Sequence, residues 1–330
     1  MKISKAHARL IGAAACMLAA GCATTGEQVR TTVLGTTCNA PPRLDCPEAN
    51  CDLQQKVGMG DALEPVSGRT FYLDFPCDLR AGEEVNFILN LHGGGSVGAW
   101  QRHYFPALDL TEDYRLVVAT PTAWVDDPSR RWTAEEDDEY LHRVVDLVMD
   151  AFGQENIATF WIAGHSQGGL TGRRIVCTDY FASKVDGFIS LSGGRLGSQQ
   201  VGERPPAEVP DCDFSFIYAA GALEAQAEAA TDYSEVAERY NCGARVRQPD
   251  VVDTRAGYVT ATDQSRGPSW GRFARPGTAE VYAFEGCDDG RVVADVIRLD
   301  KGHTEGYEPE IMDVIVEMMV NAPGGNARDG

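Results

Sequence analysis

Basic residues are scarce in this sequence, and their scarcity limits the partners that the protein can have. The 330 residues include 29 lysines and arginines against 49 aspartates and glutamates, for a net charge of −20 at pH 7. Such a surface repels the phosphates of nucleic acids and anionic lipid headgroups. The chain is otherwise 43% hydrophobic and 24% charged, which is typical of a folded globular protein. We therefore expect no nucleic-acid partner.

Metal-binding motifs are also missing. The sequence contains no CxxC pair and no HExxH, although it has ten cysteines. If Cys16 is removed with a signal peptide and Cys22 is acylated, eight cysteines remain, an even number that suits disulfides in an oxidising compartment. Eight cysteines allow about 105 pairings, which the sequence alone leaves open. A structural zinc site is the competing interpretation, and we expect no metal and no cofactor.

Long hydrophobic runs are absent too, and the short run at the start resembles a bacterial lipoprotein signal peptide. Lys2, Lys5 and Arg9 are followed by eleven apolar residues, Leu10 to Ala20, too few to span a bilayer. The run ends in Leu-Ala-Ala-Gly-Cys, which resembles the lipobox, where cleavage leaves the cysteine, here Cys22, carrying acyl chains.

These features predict a signal peptide over residues 1–21 and a tether rich in Thr and Gly over residues 22–37. Ala19 stands where the lipobox more often has leucine, so ordinary cleavage to a secreted or periplasmic product is the alternative. We expect a lipoprotein of the bacterial cell envelope, at the outer membrane or cell surface. It would contact the membrane only through its N-terminal lipid.

Short β-rich runs alternate with helical patterns along the rest of the chain. The runs are Asn86–Leu91, Leu116–Ala119, Thr159–Ala163, Gly187–Leu191, Phe214–Ala219 and Ala294–Leu299. Helical spacing is clearest over Tyr140–Phe152 and recurs from Ile311 to Met318. This alternation predicts one α/β domain over residues 38–320, with a mostly parallel sheet covered by helices on both faces.

Three further segments depart from this alternation. Residues 69–75 alternate in polarity and predict an antiparallel edge strand. Residues 243–280 are rich in Gly, Pro and Arg and predict a long excursion over the surface. Residues 321–330 predict a disordered tail.

The motif G-x-S-x-G, typical of a nucleophilic serine at a tight strand-to-helix turn, occurs twice. Ser166 lies in Gly164-His-Ser-Gln-Gly168, after a strand and before a helix. Ser96 lies in Gly94-Gly-Ser-Val-Gly98, but the preceding Leu-His-Gly-Gly-Gly is typical of a loop that supplies oxyanion-hole N–H groups. We therefore predict Ser166 as nucleophile, with N–H donors from Gln167 and from Gly94 or Gly95.

The general base and the acid follow from position in the chain. His303 is the only histidine after Ser166 in a strand-to-helix loop, where a general base belongs. Glu224 follows the strand Phe214–Ala219 and is the first choice for the acid that orients it. The rival carboxylates are Asp232, Asp288, Asp289 and Glu305.

These motifs together resemble the polyhydroxybutyrate depolymerase and feruloyl esterase group of α/β-hydrolases, which includes acetyl-xylan esterases. The resemblance covers residues 85–320 and rests on LHGGG, on Trp132 with Asp137 and Asp138, on GHSQGG and on the late GH. It implies an α/β-hydrolase fold and a secreted serine esterase. Glu224 stands where the group has aspartate in a G-x-x-D turn, and Thr304-Glu-Gly306 replaces its frequent Trp-Pro-Gly.

The same resemblance implies two disulfides, Cys177–Cys212 and Cys242–Cys287. The remaining cysteines, Cys38, Cys46, Cys51 and Cys77, would then pair among themselves.

The expected activity is hydrolysis of carboxylic esters, either feruloyl or acetyl polysaccharide esters or hydroxyalkanoate-type polyesters, by a monomer. The alternatives are a non-catalytic surface lipoprotein on a decayed hydrolase fold and, with less support, a peptidase. Six arginines in the segment 243–280 suit a carboxylated substrate, although pairing with neighbouring carboxylates is the simpler interpretation. They are Arg245, Arg247, Arg255, Arg266, Arg272 and Arg275.

Overall fold

The computed structural model describes residues 29–38, 60–124, 129–199, 207–258, 266–272 and 274–329. The predicted signal peptide, Cys22, most of the tether, and the cysteines at positions 46 and 51 lie outside these residues. Over the described ranges, no helix combines the length and the apolar character needed to cross a bilayer.

The described chain contains thirteen strands and eight α-helices, joined in places by short 3₁₀ turns. The strands are β1 (Thr32–Val33), β2 (Thr36–Thr37), β3 (Ala62–Leu63), β4 (Thr70–Asp74), β5 (Val85–Leu91), β6 (Leu116–Pro121), β7 (Ile157–His165), β8 (Gly187–Leu191), β9 (Ser215–Gly221), β10 (Arg245–Arg247), β11 (Val251–Val252), β12 (Thr278–Phe284) and β13 (Val293–Leu299). The helices are α1 (Gly98–Tyr104), α2 (Thr111–Tyr114), α3 (Ala134–Phe152), α4 (Gln167–Ile175), α5 (Asp179–Ala182), α6 (Glu235–Arg239), α7 (Pro309–Val320) and α8 (Asn326–Asp329).

One large sheet organises these elements. Its strands lie in the order β10-β12-β13-β9-β8-β7-β5-β6-β4-β3, and β11 also pairs with β12. The six strands from β13 to β6 run parallel to one another. Two clusters of buried apolar side chains, one on each face, separate the sheet from its helices. The predicted parallel sheet with helices on both faces is confirmed.

The two edges of the sheet are antiparallel, and here the sequence-based interpretation needs two corrections. The strand predicted at residues 69–75 is antiparallel, as expected, but β3 pairs with it and forms the edge instead. The segment predicted as a surface excursion, residues 243–280, contributes β10 and β11 and the start of β12. Its strands are short or only half-buried, so their apolar pattern is weak.

Helix α3 shows how the amphipathic pattern builds the core. Its residues Leu141, Val144, Val145 and Val148 are fully buried against the sheet. The side chain of Thr133 caps its first turn by accepting a hydrogen bond from the Glu136 N–H. The helix therefore begins six residues earlier than the predicted Tyr140, because its first turns carry mostly acids that give no apolar period.

The strand order reverses next to β5. The chain passes from β5 to β6 on one side and then crosses to β7 on the other. The loops after β5 and β7 therefore diverge and leave a crevice at the carboxyl ends of the strands, which is where open α/β sheets bind ligands.

Both ends of the described chain lie near the amino ends of the parallel strands, which is the side of the sheet opposite this crevice. The Arg30 side chain donates to the carbonyl of Ala151, near the end of α3. At the other end, Arg328 donates to the carbonyl of Ile157, and the Asn326 N–H donates to Asp186. Residues 321–330 are predicted as a disordered tail, but residues 326–329 form α8, which packs at the starts of β7 and β8.

Three disulfides are present in the described residues. Two of them, Cys177–Cys212 and Cys242–Cys287, are the pairs that the family resemblance implies. The third joins Cys38 to Cys77, two of the four cysteines expected to pair among themselves. It fastens the strand pair β1–β2 to the loop after β4.

Candidate active site

Ser166 lies at the sharp turn between β7 and α4. Its backbone has φ 51° and ψ −113°, a conformation that L-residues rarely adopt. The glycines around it leave no room for side chains, because a Cβ on Gly164 would lie 2.3 Å from the Gly168 carbonyl oxygen. A Cβ on Gly168 would lie 2.5 Å from the Leu91 carbonyl oxygen. This is the geometry that raises a serine Oγ above the end of a sheet.

The loop after β5 lies beside this turn. A Cβ on Gly93 would lie 3.3 Å from the Ser166 Cβ, and one on Gly94 would lie 3.5 Å from the Gln167 Cβ. Gln167 begins α4, so its N–H has no acceptor within the helix. Among the described residues the Gly94 N–H also has no acceptor, whereas the Gly95 N–H donates to the Arg130 carbonyl at 3.4 Å. Within the described residues, Gly94 and Gln167 thus each present an N–H without an acceptor beside Ser166.

Ser96, the second serine in a G-x-S-x-G motif, is placed differently. Its N–H donates to the Gly93 carbonyl at 3.1 Å, inside the glycine loop, and Val97 still separates it from α1. Its φ is not positive, so the sharp strand-to-helix turn is absent here. The structure therefore assigns Ser96 to the loop and Ser166 to the turn.

Glu224 and His303 form a direct hydrogen bond. The distance from the Glu224 Oε2 to the His303 Nδ1 is 2.6 Å, and both side chains are buried. The other carboxylate oxygen, Oε1, accepts hydrogen bonds from the Ser192 hydroxyl at 2.7 Å and from the Gly221 N–H at 2.9 Å. Because Nδ1–H donates to Glu224, the Nε2 of a neutral His303 carries the free lone pair of a general base.

The four rival carboxylates have other partners or other positions. Asp232 is almost fully exposed near Arg245, and Asp288 accepts from the Asn241 side chain. Glu305 accepts from the Gly302 N–H at 2.6 Å and pairs with Arg275. Asp289 lies beside Asp288 in the turn before β13. Of the predicted acids, Glu224 is the one in contact with His303.

His165 connects the turn at Ser166 to His303. Its Nε2 lies 2.9 Å from the His303 carbonyl oxygen, and the two imidazole rings lie 4.7 Å apart. Complete burial lowers the pKa of His165 well below its ordinary value, so the ring is neutral and Nε2 carries the donated proton. This hydrogen bond fixes the main chain of His303 against the residue before Ser166.

A buried ionic cluster holds the loop that carries His303. The Arg298 guanidinium donates to the carbonyls of Glu305 and Gly306, each at 2.8 Å, and to the Glu308 carboxylate at 3.1 Å. The Lys301 ammonium also contacts Glu308. The two cations hold the pKa of the Glu308 carboxyl below its usual value despite burial, which keeps it ionised.

Three features occur together here: a parallel sheet with a switch point, a strained serine between strand and helix, and the chain order Ser166, Glu224, His303. The chain has the α/β-hydrolase fold. The resemblance stated from the motifs is therefore confirmed at the level of the fold. No protein-family profile and no curated protein sequence matches the chain.

Solved structures similar to this chain include several hydrolases. An acetyl xylan esterase from Aspergillus awamori has 11% identity and a TM-score of 0.42, covering 76% of this chain and 93% of its own. An S-formylglutathione hydrolase from Staphylococcus aureus has 16% identity and a TM-score of 0.36, covering 54% and 84%. A fluorophosphonate-binding serine hydrolase from the same organism has 16% identity and a TM-score of 0.34, covering 53% and 82%. None of these three matches exceeds 16% identity or a TM-score of 0.42.

Sequence reasoning missed several residues of the site. Ser192 follows β8 and binds the Glu224 carboxylate, yet a lone serine after a strand has no distinctive pattern. Trp270 lies with its ring 4.9 Å from that of His303, and its carbonyl accepts from the Thr304 N–H at 2.8 Å. Trp270, which belongs to the segment 243–280 predicted as a surface excursion, therefore packs against His303, the candidate base of the α/β-hydrolase.

The arginines of that segment are mostly paired. Arg245 binds Asp295, Arg247 binds Asp250 and Glu280, Arg255 binds Glu310 and Arg275 binds Glu305. Arg266 lies over the Trp270 ring, 3.5 Å from its centroid. The interpretation that these arginines pair with neighbouring carboxylates holds for these four.

Proposed function

We propose that the protein is a serine hydrolase of carboxylic esters, with Ser166 as nucleophile, His303 as general base and Glu224 as the acid that orients it. The observation that carries the proposal is the buried hydrogen bond from His303 Nδ1 to Glu224, in a loop tied through His165 to the Ser166 turn. A carboxylate on Nδ1 selects the tautomer whose Nε2 can accept the serine proton.

The reaction has two displacements. In the first, the Ser166 Oγ bonds to the ester carbonyl carbon while its proton passes to the His303 Nε2. The oxyanion accepts hydrogen bonds from the N–H groups of Gly94 and Gln167, and the alcohol leaves with the proton from His303. In the second, His303 takes a proton from water as the water oxygen attacks the acyl carbon; the bond to the Ser166 Oγ then breaks, His303 returns the proton to that oxygen, and the acid is released. No metal or cofactor takes part in these steps.

The substrates we propose are polysaccharide feruloyl or acetyl esters, or hydroxyalkanoate oligoesters. We further propose that the protein is a monomer and a lipoprotein anchored through Cys22 in the cell envelope. The three disulfides support only the oxidising compartment that this location requires. In this proposal Glu224 takes the role that the resembled group gives to aspartate, and its hydrogen bond to His303 supports that role.

Labelling with a fluorophosphonate tests this proposal. The soluble domain from residue 29 onward is treated with the probe, digested and mapped by mass spectrometry. We expect an adduct on Ser166 that is lost in His303→Ala and retained in Ser96→Ala. No adduct on folded, disulfide-bonded protein would support a non-catalytic lipoprotein, and an adduct on Ser96 would reverse the assignment of the two serines. Full esterase activity in Ser166→Ala would also refute the proposal.

A further inference from the structure

Arg131 is held at the candidate oxyanion hole by both of its neighbours. Before it, the Arg130 carbonyl accepts the Gly95 N–H at 3.4 Å. After it, the Trp132 N–H donates to the Gln167 side-chain oxygen at 3.0 Å, and the Gln167 side-chain amide donates to the Trp132 carbonyl at 2.8 Å. The main chain of Arg131 is thus fixed to the glycine loop on one side and to the first residue of α4 on the other.

The side chain of Arg131 extends over the same place. Its Cγ and Nε lie 3.7 Å and 3.8 Å from the position that a Cβ on Gly94 would occupy. The residue is exposed, and among the described residues no carboxylate pairs with its guanidinium. By contrast, twelve other arginines of the described part form ion pairs, in a chain with 49 acids against 29 basic residues.

We propose that Arg131 is a subsite for a carboxylate carried by the substrate, close to the ester bond that is cleaved. The inference rests on the proposed hydrolase function, since Gly94 marks where the ester carbonyl would lie. A guanidinium presents parallel N–H donors that match a carboxylate, and a fixed main chain reduces the entropy lost on binding. An acid ester would otherwise be repelled by a surface of net charge −20.

Arg266 is the competing cation at this site. Its guanidinium stacks on Trp270, which in turn lies against His303, so it lies on the His303 side of the candidate site. That stacking occupies one face of the guanidinium with the indole ring. Arg131 has neither an aromatic nor an acidic partner among the described residues, which is why the carboxylate is assigned to it.

Matched pairs of charged and neutral esters test the assignment. On the acyl side, p-nitrophenyl hemisuccinate is compared with its methyl ester; on the alcohol side, 4-carboxyphenyl butyrate is compared with its methyl ester. For the wild type we expect kcat/KM to favour the charged member of at least one pair. In Arg131→Gln this preference should fall about tenfold or more, mainly through KM, since a hydrogen bond between charged groups is lost.

Three controls sharpen the result. Arg131→Lys keeps the charge without the planar donors and should retain part of the preference. Arg247→Gln removes the same charge at the sheet edge, where Arg247 is half exposed, and should leave the preference unchanged. Raising the salt concentration from about 50 mM to about 500 mM should weaken the preference in the wild type but not in Arg131→Gln.

The outcomes separate the subsite from the reaction. If Arg131→Gln lowers kcat/KM equally for the charged and the neutral ester of a pair, or lowers neither, the subsite is overturned. Hydrolysis of neutral esters by Ser166 would still stand in that case. Loss of the preference in Arg266→Gln but not in Arg131→Gln also overturns it. If Ser166 is not labelled by the fluorophosphonate and no ester is cleaved, the proposed function fails, and the subsite fails with it.

Discussion

Replacing Glu224 by glutamine should abolish most of the catalysis while leaving the fold in place. The carboxylate has two oxygens with separate tasks: Oε2 accepts from the His303 Nδ1, and Oε1 accepts from Ser192 and Gly221. A glutamine can keep its carbonyl oxygen towards Ser192 and Gly221. Its amide group then faces Nδ1, so the imidazole must turn to the tautomer whose Nε2 is already protonated and accepts no proton from serine.

The size of the effect follows from that change of tautomer. In a serine protease the equivalent acid-to-amide change lowers kcat by about 10⁴, which corresponds to about 5 kcal/mol in the activation barrier. The free energy of unfolding should fall by only about 1–2 kcal/mol, because one charge-assisted hydrogen bond becomes a neutral one. Glu224→Asp keeps the charge but moves it about 1 Å, and should cost about 10²-fold in kcat.

The assay compares kcat on p-nitrophenyl acetate and the melting temperature for the wild type, Glu224→Gln and Glu305→Gln. Glu305 is the matched control, because it is a buried carboxylate on the His303 loop that contacts Gly302 and Arg275. We expect a large loss of kcat only in Glu224→Gln. If Glu224→Gln keeps more than about a tenth of the wild-type kcat while Glu305→Gln loses most of its kcat, the assignment of the acid is wrong.

Three further changes test other parts of the structure. His165→Ala removes the hydrogen bond to the His303 carbonyl and should lower kcat for neutral esters about tenfold or more, and an unchanged kcat would contradict its positioning role. Burial lowers the pKa of His92 from 6.5 to about 4. The unfolded chain therefore binds more protons than the folded one between these values, and the free energy of unfolding should drop by about 3 kcal/mol as the pH falls through them. NMR of the His92 ring should show no titration above about pH 5, and a midpoint near 6.5 would refute this. Deleting residues 321–330 removes the contacts of Asn326 and Arg328 and should lower the melting temperature by several degrees, whereas an unchanged value would show that α8 adds no stability.

The parts of the fold that the sequence predicts are those with a strong local pattern. The buried strands β5 to β9 and β13 are short apolar runs, and α3 has a regular apolar face. Ser166 and His303 could be selected as candidates from the sequence because both residue type and chain order restrict the choice. Glu224 could not be separated from its rivals, since the choice depends on a hydrogen bond across 79 positions of sequence.

The parts that the sequence did not predict depend on contacts between distant segments. Strand β12 is half-buried along most of its length, and its partners β10 and β11 are short, so no apolar run marks them. Helix α8 has four residues and is held by hydrogen bonds from Arg328 and Asn326 to the starts of β7 and β8. Propensity alone does not predict a helix of that length.

The position of the two described chain ends determines which side of the protein faces an attached surface. Arg30 and Arg328 both bind main chain where the parallel strands start, whereas Ser166 and His303 lie where the strands finish. A lipid, a fusion partner or a solid support attached at either end would therefore lie behind the molecule, with the opening of the site directed outward. Immobilisation through the C-terminus should leave turnover of small esters unchanged and allow polymer chains to approach freely.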